Sequence, residues 1–159
     1  MELKSKVRTC LWFAAGGLTA ATEYVGLIPD SAIDSVLAHD RPENDPMVVE
    51  FTLAGAPMMI LTAGDRYKLT PAASISVLTD DQEETDRLWR ALAEDGEESQ
   101  CGWLVDRHGV SWQIVPRRLP ELLTDPDPER ARRVMQAMMQ MRKIDIAALE
   151  AAADSEPAL

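Results

Sequence analysis

Side chains that bind metals or act as nucleophiles are scarce in this sequence, which has two histidines and two cysteines among 159 residues. Cys10 and Cys101 stand far apart and make neither a disulfide framework nor a zinc motif. Both fall in predicted strands and are expected to be reduced, buried core residues of a cytoplasmic protein. Glycine is also sparse, at eight residues, and no GxGxxG or GxxxxGK occurs, so there is no dinucleotide fingerprint and no phosphate loop. Basic residues are outnumbered, 16 against 27 acidic, for a formal net charge of −11. That sign disfavours nucleic acid and anionic membrane as partners, since both reward Lys and Arg. No apolar run approaches the roughly 20 residues of a membrane-spanning helix. Met1 to Arg8 is charged and precedes no leader-like apolar core, so no secretory signal is expected.

What is present is a repeated pattern of strands and helices. Val7 to Phe13 is a short apolar run that predicts a strand, and Leu18, Ala21, Val25 and Ile28 then fall at helical spacing. Strands are expected at Ala32 to Ala38, Met47 to Leu53 and Pro57 to Thr62, with Arg41 to Pro46 an exposed loop and Ala54-Gly55-Ala56 a hairpin turn. The order then restarts. Ala73 to Leu78 predicts a strand, Asp80 or Asp81 can cap a helix carrying Leu88, Trp89 and Leu92, and Glu98 to Cys101 begins the next strand. A repeated unit of about fifty residues cannot bury its sheet face alone, so two modules should pair. The expected layout is a first module at 6–64, a second at 70–116, C-terminal helices at 117–153 and a disordered tail at 154–159. In those helices Val134, Met135, Met138, Met139 and Met141 lie in or near one apolar stripe. Packing on the outer face of a sheet and a partner surface are both open readings of the stripe.

The most specific stretch is Cys101 to Pro116, CGWLVDRHGVSWQIVP. It predicts a strand, a turn at Asp106-Arg107-His108-Gly109, and a second strand ending at Val115. On that strand Ser111, Gln113 and Val115 share one face, and Trp112 and Ile114 the other. Gln113 needs a partner, either neighbouring backbone or a group lining a cavity.

This stretch resembles the closing hairpin of the PhnB-like branch of the glyoxalase/bleomycin-resistance (vicinal oxygen chelate) superfamily. Cys10-Leu11-Trp12-Phe13, Glu23-Tyr24, Pro29-Asp30-Ser31, the run from Asp80 to Trp89, and Lys143-Ile144-Asp145-Ile146 match the same branch in order. Glu23 departs from the family, which usually has Phe there. The resemblance implies an α+β fold of two paired βαβββ modules around a cavity, and a homodimer. It also carries a methyltransferase label from ubiquinone biosynthesis, which nothing in this sequence supports.

The cavity-lining candidates are Trp12, Glu50, Met59, Ser74, Ser111 and Gln113, whereas Trp103 and Trp112 are expected in the core beneath the helices. Glu50, inside a strand, faces either the cavity or solvent. His39 is expected in a solvated loop and His108 in an exposed turn, and neither has a nucleophile at triad spacing. No catalytic residue and no cofactor is assigned. The leading reading is a binding protein for an unidentified small molecule. A superfamily enzyme (lyase, isomerase or dioxygenase) and an antibiotic-sequestering resistance protein are the alternatives.

Metal-dependent relatives hold their ion with His, Gln or Glu on the first and last strands of each module. Here those places offer Arg8 or Thr9, no acid between Phe51 and Gly64, Ala73 or Ser74, and Gln113. One neutral amide cannot hold a divalent ion against water. Elemental analysis of protein purified without chelators or affinity-tag metal is therefore expected to show no stoichiometric metal. A full equivalent of zinc or a transition metal, lost on chelation together with an activity, would contradict this.

Overall fold

The computed structural model describes residues 5–38 and 45–155. His39, most of the 41–46 loop and the end of the expected tail lie outside the described residues. The chain divides into two compact units, the first ending at Leu69 and the second beginning at Thr70. Among the described residues the fold is α+β, with two four-stranded sheets and five helices.

The first unit is β1 (Thr9–Phe13), α1 (Gly17–Leu27), β2 (Ala32–Leu37), β3 (Val48–Leu53) and β4 (Ala56–Thr62). Its sheet runs β1-β4-β3-β2, with β1 and β4 parallel and the other pairs antiparallel. The β3–β4 hairpin closes through Ala54 and Gly55, both at positive φ, which suits the right-handed twist of the flanking strands. Helix α1 packs on one face of the sheet through Gly17, Ala20, Ala21 and Tyr24. Its small residues let it lie close, and a Cβ at Gly17 would collide with Ile60 and Thr62 side chains. Beneath it sit the alternate residues Leu11, Phe13, Val49, Phe51, Met58 and Ile60, all buried.

The second unit repeats the order as β5 (Ile75–Thr79), α2 (Gln82–Ala93), β6 (Glu97–Glu98), β7 (Trp103–Val105) and β8 (Ser111–Pro116). The sheet order β5-β8-β7-β6 reproduces the first, with β5 and β8 parallel. Asp81 caps α2 by accepting from Glu84 N at 2.8 Å, while Glu84 reaches back to Asp80 N at 2.7 Å. Leu88, Trp89 and Leu92 on α2 are buried, as are Leu104, Trp112 and Ile114 on β7 and β8, and α2 packs across both strands. The strand expected at Glu98 to Cys101 is shorter and earlier: the chain turns at once, and Cys101 itself has φ of 57°. Cys101 is thus a half-buried turn residue and Cys10 an exposed strand residue, so neither is the buried core cysteine expected.

Helices α3 (Arg118–Leu123), α4 (Pro128–Met138) and α5 (Ile146–Asp154) follow. They enclose their own core of Leu119, Leu122, Val134, Ile144, Leu149 and Ala153. Met138 and Met141 pack against that core, as does Val115 of β8, and Met135 and Met139 are exposed. Helix α4 stops at Met138. Among the described residues no helix is long and apolar enough to cross a membrane.

The β7–β8 turn is held by one carboxylate. Asp106 is 5% exposed; its Oδ1 accepts from His108 N (2.9 Å) and Val110 N (3.0 Å), and its Oδ2 from Trp112 Nε1 (2.9 Å). His108 is half-buried here rather than exposed. Replacing Asp106 by Ala strands three donors, which costs about 2–4 kcal/mol. Asn can keep the backbone bonds but turns a donor toward the indole, so Asp106→Asn is expected to cost less. Urea unfolding should rank the stabilities wild type, Asn, Ala; equal stability of all three would contradict this role.

Candidate functional site

In each sheet the helix occupies one face, and strand alternation places a distinct set of side chains on the other. In the first unit one row crosses all four strands in register: Ser35, Glu50, Met59 and Cys10. Arg8 and Trp12 flank Cys10 on the same face of that edge. Glu50, 7% exposed, forms an ion pair with Arg8 Nε at 2.7 Å and accepts from Ser35 Oγ at 3.1 Å. A buried carboxylate requires such partners. Glu50 is therefore not a solvent-facing strand residue. Trp12 Nε1 donates to Gly64 O at 2.7 Å, and the Tyr67 ring stands edge-on to the indole at 4.9 Å.

In the second unit the corresponding row is Trp103, Gln113 and Ser76, with Val105 opposite Ser111. Gln113 Nε2 donates to Ser74 Oγ at 2.8 Å, so its partner is a side chain and not backbone. Trp103 lies opposite Gln113 and is half-buried on that face, which corrects its expected place beneath the helix. Trp112 is fully buried on the α2 side as expected. Ser111 is 3% exposed and its hydroxyl has no hydrogen-bond partner among the described residues. An unpaired buried hydroxyl costs about 1–3 kcal/mol.

Trp12, Glu50 and Met59 thus share one face of the first sheet, and Ser74, Ser111 and Gln113 share one face of the second. Among the described residues no three His, Cys, Asp or Glu side chains converge as a metal requires. Arg8 is a cation paired with Glu50, and Gln113 gives its amide N–H to Ser74, so that its neutral amide oxygen is the single metal-type donor of that pair. These residues do not fit a divalent ion. A shallow cleft of about 750 Å³ lies elsewhere, along the flank of α2, lined by Asp86, Trp89, Arg90, Glu94, Glu98 and Lys143 among others. There Lys143 Nζ lies 2.6 Å from Asp86 and holds that carboxyl below the usual carboxylate range.

Residues 5–115 match the family model described as 3-demethylubiquinone-9 3-methyltransferase. The chain belongs to this family. The PhnB protein from Bacillus cereus is 30% identical, with a TM-score of 0.66 over 70% of this chain and 99% of its own. A protein from Pseudomonas aeruginosa is 22% identical, with a TM-score of 0.59 over 71% of this chain and 98% of its own. The genomically encoded fosfomycin resistance protein FosX from Listeria monocytogenes is 15% identical, with a TM-score of 0.55 over 77% of this chain and 99% of its own. The fold is that of the glyoxalase/bleomycin-resistance proteins, in its PhnB-like form. No curated protein matches the chain.

Arg8, Ser35, Cys10 and Trp103 were not among the sequence-derived candidates. The first three share the parity of Glu50 or Trp12 and become visible only once strand pairing is known. Cys10 invites a chemical role, yet partial burial of its sulfur raises the thiol pKa, outweighing the lowering effects of the Leu61 backbone and the Arg8 charge. A protonated thiol is a poor nucleophile. In a Cys101→Ser background, iodoacetamide alkylation of Cys10 should rise with pH along a curve displaced above that of an unstructured cysteine peptide. A curve displaced below it would show an activated thiolate.

Proposed function

We propose that this PhnB-like protein binds a small organic molecule on the sheet faces turned away from α1 and α2, and that it does so without a metal ion. The observation that carries the reading is the face of the second sheet. A Gln–Ser pair and an unpaired Ser111 hydroxyl stand there beside the half-buried Trp103 ring. Apolar and aromatic surface with a few fixed polar groups is the composition of ligand sites. The ligand-binding residues on this reading are Trp12, Glu50 and Met59 of the first unit and Ser74, Ser111 and Gln113 of the second.

Metal-assisted lyase or dioxygenase chemistry does not follow from these donors, and methyl transfer has no nucleotide-type binding loop to support it. The two unbridged cysteines suit a cytoplasmic location. Mass spectrometry of small molecules released from the native protein by denaturation should find one class of compound. Its occupancy should fall by tenfold or more, about 1.4 kcal/mol, when Gln113→Leu and Ser111→Ala are combined. Unchanged occupancy would remove these residues from the site.

A homodimer is part of the same proposal. Leu78, Val36, Leu37, Met135 and Met139 are each more than 40% exposed, an apolar load that a second copy can cover. Light scattering at micromolar concentration should give twice the chain mass; the mass of a single chain would contradict the pairing.

A further inference from the structure

The family model ends at residue 115, so α3 to α5 lie beyond it. The segment 141–146, between α4 and α5, is held along its backbone by the second module. Met141 O accepts from Cys101 N at 2.8 Å, and Arg142 O from Gly102 N at 2.7 Å. Gln82, at the start of α2, grips the rest with both ends of its amide. Its Nε2 donates to Ile144 O at 3.0 Å and its Oε1 accepts from Ile146 N at 2.8 Å. The Nε2 also donates to Asp86 at 2.8 Å, the carboxylate that pairs with Lys143.

The Ile144 side chain is fully buried and lies beside Gly102. A Cβ at Gly102 would come within 2.8 Å of Ile114 O and 3.2 Å of Ile144 Cγ1, and its φ is 81°. The carbonyl of Gly102 in turn accepts from Ile114 N at 2.8 Å. The next residue, Trp103, is paired with Gln113. An unbroken series of contacts therefore runs from Gln82 through 144–146 and 141–142 to the 101–102 turn, and from there to the Trp103–Gln113 pair.

We infer that Gln82 is a positioning residue: by gripping 144–146 it makes the C-terminal helices a clamp that sets the Trp103–Gln113 pair on the face of the second sheet turned away from α2. The functional meaning of the clamp rests on reading that face as the ligand face. Its mechanical content does not. The 101–102 turn has two residues in the left-handed region, a geometry that an L-residue such as Cys101 holds only when its surroundings fix it. The carbonyls of 141 and 142 supply that fixing.

The test uses the full chain and no ligand, so its failure is separable from failure of the binding reading. Gln82→Met keeps side-chain length and removes the amide; Gln82→Glu keeps the acceptor for Ile146 N and loses the donor to Ile144 O. Hydrogen exchange at Cys101, Gly102 and Ile146 should quicken about tenfold in Gln82→Met, the effect of losing one or two net hydrogen bonds. It should quicken less in Gln82→Glu. The side-chain amide resonances of Gln113 should shift in the same order, while exchange at Leu88 and Leu92 in α2 stays unchanged. Faster exchange at Ile146 with Cys101, Gly102 and Gln113 unmoved would overturn the clamp. A uniform rise that includes Leu88 and Leu92 would overturn it too, since Gln82 would then support the whole unit. If Gln82→Met does not fold, the same criteria decide on Gln82→Glu.

Discussion

In each module the first strand pairs in parallel with the last, β1 with β4 and β5 with β8. A parallel pair cannot be closed by a tight hairpin, so the chain must cross over, and here the crossover contains a helix. That helix must bury its apolar stripe, and it does so on one face of its own sheet. The constraint fixes the rest. One face of each sheet becomes core, and the opposite face receives every second residue of the same strands. A polar residue on those alternate positions is then held in place by its strand neighbours.

The two modules answer this constraint in parallel ways. Register makes Cys10 and Trp12 of β1 correspond to Ser76 and Leu78 of β5, Arg8 just before β1 to Ser74 just before β5, and Met59 of β4 to Gln113 of β8. In each unit the residue just before the first strand partners a polar side chain on a later strand of the sheet. In the first unit that is a cation on a carboxylate, Arg8 on Glu50; in the second it is a hydroxyl on an amide, Ser74 on Gln113. The Ser111 hydroxyl is left over, beside Gln113 on the same face.

Much of the architecture was legible in the sequence because it depends on local chemistry. Period-two alternation gave the parity of β8, Asp81 and Glu84 marked the start of α2, and Gly109 marked the closing turn. The family resemblance supplied the pairing order that alternation alone does not reveal. What stayed hidden depends on partners distant in sequence. Glu50 looks like a solvent-facing acid until β1 brings Arg8 beside it, and Gln113 looks backbone-paired until β5 brings Ser74 within 2.8 Å. Trp103 was misplaced because its strand is only three residues long, too short for its own periodicity to assign a face. Cys101 was misread as a strand residue because a left-handed turn carried by a non-glycine leaves little composition signal. The surface that the Met stripe meets stayed open because the α3–α5 core is made by residues spread from Leu119 to Ala153.

The central claim is that small molecules are bound on the sheet faces turned away from α1 and α2 and not on the charged flank of α2. The most direct measurement is a map of backbone amide shifts in the labelled full chain as a diverse set of small aromatic and polar compounds is added. The account predicts shifts gathered at Cys10, Trp12, Glu50 and Met59 of the first sheet and at Trp103, Ser111 and Gln113 of the second. Shifts gathered instead along Asp86, Arg90, Glu94 and Lys143, with the sheet residues unmoved, would contradict it.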